Sequence, residues 1–316
     1  MALSKIQVSS MADNTIHGRR NIIINGSAQC WQRSTSSSST GYTSADRWSY
    51  YAPSSLAISR STDVPTGFQY AISISGGGDS SGITQKIEAS TCKQLVGATI
   101  TVSFYLKQTT GSGTDKIAVA LSRANSEDSF GGTTSISSQT ISTTSSYARY
   151  TCTFTSLPSE VANGLQLTIK SNGSGSVVYL ITGVQLEVGQ ATPFEHLSFG
   201  ETLALCQRYY YHTYSYGTPA GTTFNQDYES PIIIIGTGNH GMGVCNGVYP
   251  VEMRVAPALS FYSSDGTANK IRHWGGAHAS YGTVNRSTRQ ILGMSFNAGT
   301  NPEDFYSAAL VCDAEL

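Results

Sequence analysis

The strongest constraint on the fold is a period-two alternation of apolar and polar residues, which recurs in short segments along the chain. It is clear in residues 99–106, 164–170 and 176–181. Clusters of Gly, Ser, Asn and Asp separate such segments, as they separate the strands of antiparallel sheets. The pattern predicts an all-β protein, and Asn172-Gly173 predicts a tight hairpin between the last two segments.

The chain carries few charges for its length. Of 316 residues, 12% are charged, and the formal net charge is -1. Nucleic acids and anionic membrane surfaces are bound through clustered Lys and Arg, so this composition argues against both partners. No segment approaches the roughly 18 to 20 apolar residues that span a bilayer, so we expect no membrane insertion. Residues 1–14 lack the pattern of a signal peptide.

One segment, residues 199–210, has the spacing of a helix. Phe199, Leu203, Cys206 and Tyr210 recur every three or four residues and would share one face. The segment separates two β-rich regions, which predicts a domain boundary near residue 199. Beyond it, the isoleucine run 232–235 is apolar on both faces of a strand and predicts burial in a domain core or a trimer interface.

The six cysteines, at positions 30, 92, 152, 206, 245 and 312, have no close pair in the sequence. This spacing argues against a zinc or redox motif and favours free, mostly buried thiols. The histidines show no zinc-hydrolase spacing either. The sequence indicates no cofactor, and it leaves calcium binding open.

Residues 236–241 (GTGNHG) have the glycine spacing of a dinucleotide-binding loop. Such a loop needs a helix directly after it, so that the helix N-terminus meets the pyrophosphate. The following residues, MGVCNG, are poor helix formers. The segment therefore predicts a glycine-rich β-hairpin or loop.

No catalytic pattern stands out. Glycoside hydrolysis needs two carboxylates flanking the bond, and the acidic residues show no such arrangement in the sequence. No nucleophile elbow is present. We therefore expect no enzymatic activity, although a carboxylate pair assembled from distant strands is left open.

A polar aromatic segment is the best candidate for glycan binding. His273, Trp274, His278 and Tyr281 lie close together in the sequence, and aromatic faces pack well on the apolar faces of sugar rings. The alternative is that these residues are ordinary core or interface aromatics. By contrast, Asp46 and Arg47 beside Trp48 predict a buried structural pair, with Asp46 accepting from Arg47 or nearby amides.

An ordered set of motifs resembles the tail fibre proteins of bacteriophages, particularly marine and cyanobacterial ones. The match covers roughly residues 19–211, and its segments are 19–26 (RRNIIING), 32–33 (QR), 42–48 (YTSADRW), 63–68 (DVPTGF), 183–189 (GVQLEVG), 192–196 (TPFEH) and 203–210 (LALCQRYY). The ending DAEL is also similar to such fibres. The resemblance implies a jelly-roll domain like a carbohydrate-binding module, displayed on the virion as a homotrimer.

The predicted organisation has three parts. Residues 1–18 are an attachment segment, 19–198 a jelly-roll carbohydrate-binding-like domain, and 199–316 a β-rich distal receptor-binding domain that begins with the short helix. In long fibres such a jelly roll tends to follow an anchoring shaft, whereas only 18 residues precede it here. The apolar residues Leu3, Ile6 and Val8 are therefore expected to dock on other tail or capsid proteins.

The sequence thus favours a non-enzymatic virion fibre, assembled in the host cytoplasm, that binds host surface polysaccharide. An architectural head fibre, capsid decoration or tail adaptor without glycan affinity is the alternative. A glycan depolymerase is a third reading, which would require a paired-carboxylate cleft.

Overall fold

The computed structural model describes residues 19–52, 54–77, 81–110, 116–172, 177–225, 233–237, 242–273, 278–279, 283–285, 287–297 and 305–316. The strands and helix of the first region are β1 (Ser36–Ser37), β2 (Ser49–Tyr51), β3 (Ser54–Ser61), β4 (Ala71–Gly77), β5 (Gly82–Ile87), α1 (Ala89–Cys92), β6 (Ile100–Thr110), β7 (Lys116–Ser126), β8 (Ser129–Ser142), β9 (Ala148–Phe154), β10 (Leu165–Ser171) and β11 (Val177–Val188). Lys93–Leu95 and Ser159–Asn163 are 3-10 helices.

These strands form two antiparallel sheets. The back sheet has the order β1-β3-β4-β11-β6-β9, and the front sheet has the order β2-β5-β10-β7-β8. Most successive strands change sheet, as β5 to β6 and β10 to β11 do, and this is the connectivity of a jelly-roll sandwich. The predicted all-β, jelly-roll fold is confirmed.

Side chains from both sheets meet in one hydrophobic core. Val102 and Phe104 enter it from β6 in the back sheet, and Val119 and Leu121 enter it from β7 in the front sheet. All four are fully buried, since alternate residues of a strand point to the same face. Burying each such side chain stabilises the fold by about 1.5–3 kcal/mol, against the entropy lost on folding.

β10 and β11 do not form the hairpin that was predicted from Asn172-Gly173. β10 pairs with β5 and β7 in the front sheet, whereas β11 pairs with β4 and β6 in the back sheet. The prediction was wrong because a turn signal specifies a change of direction and leaves the partner strand open. Both segments have an apolar face that fits either side of the sandwich, and the two strands join different sheets.

The predicted short helix is α2 (Phe199–Gln207), and it begins with a capping box. Ser198 Oγ accepts from Glu201 N at 3.3 Å, and Ser198 N donates to Glu201 Oε2 at 2.9 Å. Cys206 is buried as expected, but Phe199 is 43% exposed. Phe199 packs edge-on against Tyr216 instead, with 5.0 Å between ring centroids.

The described residues after α2 form a second β-rich region. Its strands are β12 (Tyr210–His212), β13 (Ile233–Thr237), β14 (Met242–Val248), β15 (Ala258–Tyr262), β16 (Ile271–His273), β17 (His278–Ala279), β18 (Thr283–Asn285), β19 (Ile291–Asn297), β20 (Phe305–Ser307) and β21 (Ala309–Asp313). They form one sheet of order β12-β21-β15 and another of order β17-β16-β20-β13-β14-β19-β18. The domain limits at residues 18/19 and 198/199 stay predictions.

The isoleucine run 232–235 and the glycine-rich segment 236–241 follow each other in this region. β13, which contains most of the isoleucine run, lies between β14 and β20 in its sheet. Ile232 lies outside the described residues, and burial of the run at a trimer interface stays a prediction. Thr237 of β13 pairs with Met242 of β14 in antiparallel register, so a strand follows the glycine-rich segment. The predicted β-hairpin is confirmed, and the dinucleotide-loop alternative is wrong.

Residues 313–316 contact the jelly roll through buried charges. Arg47 Nη1 donates to Glu315 Oε2, and Arg47 Nη2 donates to the Lys86 carbonyl at 2.7 Å. The Arg47 guanidinium also stacks 3.4 Å from the centroid of the Tyr209 ring. Arg33 Nη2 lies 3.3 Å from the other Glu315 oxygen. Two guanidinium groups therefore face one carboxylate that is only 5% exposed.

Asp46 accepts from nearby amide groups, as predicted, and not from Arg47. Asp46 Oδ2 accepts from Gln32 Nε2 at 3.0 Å, while Arg47 has a left-handed backbone (φ 69°) and its side chain reaches Glu315. Trp48 is fully buried, as predicted, and its Nε1 donates to the Asn25 carbonyl at 3.1 Å. The motif is structural, but the carboxylate that pairs with Arg47 is that of Glu315, in the other β-rich region.

We expect Arg47→Ala to lower the free energy of unfolding by about 3–5 kcal/mol, because Glu315 would lose its closest cation while it stays buried. Urea unfolding at neutral pH measures this loss. The double variant Arg47→Ala/Glu315→Gln should regain part of the stability, since it removes the uncompensated charge. A single variant within about 1 kcal/mol of the parent would contradict the assignment.

Glu88 anchors the end of α2 to the jelly roll. Arg208 Nε and Nη2 donate to its two carboxylate oxygens at 3.1 and 2.9 Å, and the Tyr209 hydroxyl donates to Oε1. Burial alone would raise the pKa of Glu88. The hydrogen bonds from Arg208 and Tyr209 outweigh burial and hold that pKa below its ordinary value.

This depressed pKa predicts a pH dependence of stability. The unfolded state binds a proton at Glu88 more readily, so the stabilisation is complete above the ordinary value of 4.5 and is lost as pH falls through the folded pKa. Glu88→Gln should lower the free energy of unfolding at pH 7 by about 1–3 kcal/mol. It should also lose less stability than the parent between pH 7 and about pH 3.5. Urea unfolding at both pH values tests this, and parallel losses in the two proteins would refute it.

Candidate functional site

The residues that the sequence singled out lie largely outside the described chain. Trp274 and Tyr281 are outside it, and so are the predicted attachment residues Leu3, Ile6 and Val8. Their roles stay predictions.

The two candidate histidines are placed by their backbones alone. His273 ends β16 and His278 begins β17, and these strands are neighbours at one end of their sheet. In register, His278 pairs with Arg272, the residue directly before His273. The fold thus brings the two histidine positions close together.

A polar groove lies on the outer face of the front sheet. It crosses three adjacent strands and has a volume of about 310 Å³, at the lower end of the range for small-ligand sites. The described residues that line it are Ser49 and Tyr51 of β2, Gly82, Thr84 and Lys86 of β5, and Gln166, Thr168 and Lys170 of β10.

Strand alternation positions these side chains. In β10, Leu165, Leu167 and Ile169 are fully buried in the core, so the residues between them face outward. In β5, Ile83 is likewise buried, and Thr84 faces outward opposite Thr168. The same burial that builds the sandwich therefore aligns polar side chains from neighbouring strands.

Small residues form the floor of the groove. Gly82 pairs with Lys170 of β10, and a side chain on Gly82 would clash with the Ile169 carbonyl and lie 2.6 Å from Lys170 Cα. On the neighbouring strand β7, Ala118 and Ala120 continue the two rows that hold Lys170 and Thr168. Glycine and alanine therefore lie beside the lysine and threonine side chains in this part of the sheet.

The groove offers an exposed ring beside hydroxyl and amide groups. Tyr51 is 55% exposed at the outer strand. Thr84 Oγ1 and Thr168 Oγ1 lie 3.2 Å apart, and Gln166 Nε2 donates to Thr168 Oγ1 at 3.4 Å. Hydroxyls donate and accept hydrogen bonds, and a Tyr ring adds an apolar surface. This combination matches the alternating polar and apolar surfaces of a sugar.

Two lysines lie at opposite ends of the groove, and none of its described lining residues is acidic. Lys86 Nζ donates to the Leu316 main-chain oxygen and lies 5.5 Å from the centroid of the Phe130 ring. Burial lowers the pKa of Lys86. The groove therefore carries donors and positive charge without a side chain that could act as a catalytic carboxylate.

A second, wider groove of about 620 Å³ lies in the C-terminal β-rich region. Its described lining residues are Glu252, Arg254, Val255, Ala256, Ser287, Thr288, Arg289 and Gln290. Glu252 is the one carboxylate among them, and its Oε1 lies 2.6 Å from Arg289 Nη2. A single, ion-paired carboxylate does not provide the acid–base pair that glycoside hydrolysis requires.

Sequence reasoning missed the front-sheet groove. Its signal was present, since Gln166, Thr168 and Lys170 occupy the polar positions of the alternating segment 164–170. Such positions are ordinarily solvent-facing, and nothing in one strand reveals which strands lie beside it. Only the registers of β2, β5 and β10 gather these side chains into one site.

One group of metal-ligating side chains occurs in the part of the chain that the structure describes. The Sγ atoms of Cys30 and Cys206 and a carboxylate oxygen of Asp46 lie within 4.8 Å of one another, and all three residues are buried. Calcium prefers sites built from oxygen ligands, so this thiol-rich group does not fit it.

Within the described residues, no helix is long and apolar enough to cross a membrane.

A scan against protein families and a search of curated proteins found no match. Among solved structures, the chain is similar to the enzymatically active domain of tailspike protein 4 from bacteriophage CBA120, with 18% identity over 54% of this chain and a TM-score of 0.37. That alignment covers 21% of the tailspike chain.

Two shorter proteins align over their whole length. A putative sugar binding protein from Bacteroides thetaiotaomicron has 13% identity, with 54% of this chain and 100% of that chain covered and a TM-score of 0.40. The module TmCBM61, solved with beta-1,4-galactotriose, has 16% identity, the same coverages and a TM-score of 0.36. At these identities and TM-scores the likeness says nothing about ligand or activity.

We expect Gly82→Ala to lower the free energy of unfolding by about 1–3 kcal/mol, because its new methyl group would force β5 away from β10. Gly131→Ala is the matched control, since a side chain there meets nothing within 4 Å. Thermal unfolding of the two variants makes the comparison. Equal midpoints would show that the close approach of β5 and β10 does not shape the groove floor.

Proposed function

We propose that this protein is a bacteriophage virion fibre subunit that binds host surface glycans without cleaving them, and that the front-sheet groove is its glycan site. The observation that carries the proposal is the groove itself, with the exposed Tyr51 ring beside the aligned Thr84, Thr168 and Gln166 side chains. The ring can pack on the apolar face of a sugar, while the hydroxyl and amide groups exchange hydrogen bonds with its hydroxyls.

The lining of the two grooves supports binding rather than hydrolysis. No described residue of the front-sheet groove is acidic, and the wider groove offers only Glu252, which is paired with Arg289. Hydrolysis of a glycosidic bond needs two carboxyl groups about 5–10 Å apart. A shallow, open groove also suits an extended polysaccharide that is held by several neighbouring sugars.

The virion role rests on the resemblance of residues 19–211 to tail fibre proteins. In this proposal the fibre is a homotrimer on the tail or the capsid, and Leu3, Ile6 and Val8 contact other virion proteins. The segment with His273, Trp274, His278 and Tyr281 provides a second contact with the host. An architectural fibre without glycan affinity is the competing function, and binding assays separate the two.

We expect Tyr51→Ala to weaken binding to isolated host surface polysaccharide by about tenfold, because the ring supplies the main apolar contact in the groove. Phe199→Ala is the matched control, since Phe199 is a similarly exposed aromatic residue on α2, outside the groove lining. Calorimetry or surface plasmon resonance gives both affinities. Both variants should unfold within about 3 °C of the parent, which shows that binding changes are local.

Three further measurements decide between the functions. Periodate oxidation of host cells should abolish binding if glycans are the receptor. Binding lost in Trp274→Ala but kept in Tyr51→Ala would move the site to the C-terminal region. Release of reducing sugar ends from the polysaccharide would contradict the non-enzymatic proposal. Absence of any glycan binding by the intact protein would favour the architectural fibre.

A further inference from the structure

Two cysteines from the two β-rich regions meet at the junction. Cys30 precedes β1, and Cys206 lies near the end of α2. Their sulfur atoms lie within 4.8 Å of each other, and both residues are fully buried. They share a small cluster with Ile24 and Tyr209, separate from the main core.

Hydrogen bonds hold the Cys30 backbone in place. Its N–H donates to Asn25 Oδ1 at 3.0 Å, and its carbonyl accepts from Asn25 Nδ2 at 2.9 Å. The same carbonyl accepts from Asp46 N at 3.0 Å. Three hydrogen bonds at one residue leave its Cα little freedom to move.

Cys206 is held from the other side. The Cys206 carbonyl accepts from Tyr209 N at 2.9 Å, and Tyr209 is anchored in turn through its hydroxyl on Glu88. Arg208, next to it, also binds Glu88 through two nitrogens. The contact between the two sulfurs is therefore set by the surrounding structure.

A metal ion fits this place poorly. Asp46 already accepts from Gln32 Nε2 at 3.0 Å, and Arg33 Nη1 lies 3.6 Å from its other oxygen. A structural zinc site needs four ligands, and no fourth Cys, His, Asp or Glu among the described residues joins the cluster. A dication would also lie close to buried guanidinium groups.

We propose that Cys30 and Cys206 form a disulfide that ties the jelly roll to α2 when the chain folds in an oxidising environment. The oxidant is a small-molecule disulfide such as glutathione disulfide. One cysteine attacks it and releases one glutathione thiol, and the second cysteine then attacks the mixed disulfide and releases the other. The protein loses two hydrogens, one S–S bond forms, and one S–S bond of the oxidant breaks.

The site also predicts the rate of this oxidation. Burial and the hydrogen bond with Cys30 raise the pKa of the Cys206 thiol well above its ordinary value, so the reactive thiolate is scarce in the folded protein. Oxidation of the native protein should therefore be slow, and oxidation during refolding should be fast. Cys92 and Cys152 are buried away from this pair, with pKa values that burial raises to about 12 and about 11.

The test compares the full chain, refolded with glutathione disulfide and alkylated before analysis, with two variants. Relative to the reduced and fully alkylated chain, the parent should lack two alkyl groups, and it should yield a cross-linked peptide pair containing Cys30 and Cys206. Its unfolding midpoint should rise by several degrees over the reduced form, since the bond closes a long loop. Cys152→Val should behave as the parent does, whereas Cys30→Val should show no cross-link and no rise.

Other outcomes would overturn the proposal. These are full alkylation of both cysteines after oxidative refolding, a cross-link between different cysteines, or zinc that copurifies and protects the two thiols. The result for the parent decides the question even if Cys30→Val does not fold. Native protein that is cross-linked as fast as refolding protein would refute the predicted rate.

Discussion

Buried charged side chains join the two β-rich regions. Glu315 sits between the guanidinium groups of Arg33 and Arg47, and it is almost fully buried. Each of these groups alone would cost several kcal/mol to bury, so each depends on the others for its stability in the buried position. Because Arg47 also stacks on Tyr209, the end of α2 is held in the same place. Their mutual dependence fixes where the C-terminal segment meets the jelly roll.

The fold class could be predicted because it follows from local rules. Alternation predicts strands, and the spacing of residues 199–210 predicts α2, since each pattern needs one buried face. The pairing of strands could not be predicted in the same way. β10 and β11 both carry an apolar face and are close in sequence, yet they join different sheets. That choice depends on how all strands together fill the core, which no single turn encodes.

The site was harder to predict for a related reason. A single strand shows that Thr168 faces away from the core, but it does not show that Thr84 lies opposite it. The sequence favoured Trp274 and its neighbours because a cluster of aromatic residues is easy to recognise in a sequence. A groove lined by Ser, Thr, Gln and Lys has the composition of any solvated surface. Cys30 and Cys206 are free, buried thiols in the structure, as predicted, but their sequence spacing did not show that the fold brings them together. Local sequence patterns do not reveal contacts between segments that are distant in the sequence.

The position of β11 constrains the order in which the protein can be completed. β11 lies between β4 and β6 in the back sheet, and it forms the link between the β3–β4 pair and the β6–β9 pair. The front sheet has all its strands once Ser171 is made, but the back sheet stays in two parts until Val188 follows. During translation, the apolar inner face of the front sheet stays partly uncovered until the back sheet is complete. Until β11 pairs with β4 and β6, this exposed apolar surface favours aggregation of the nascent chain.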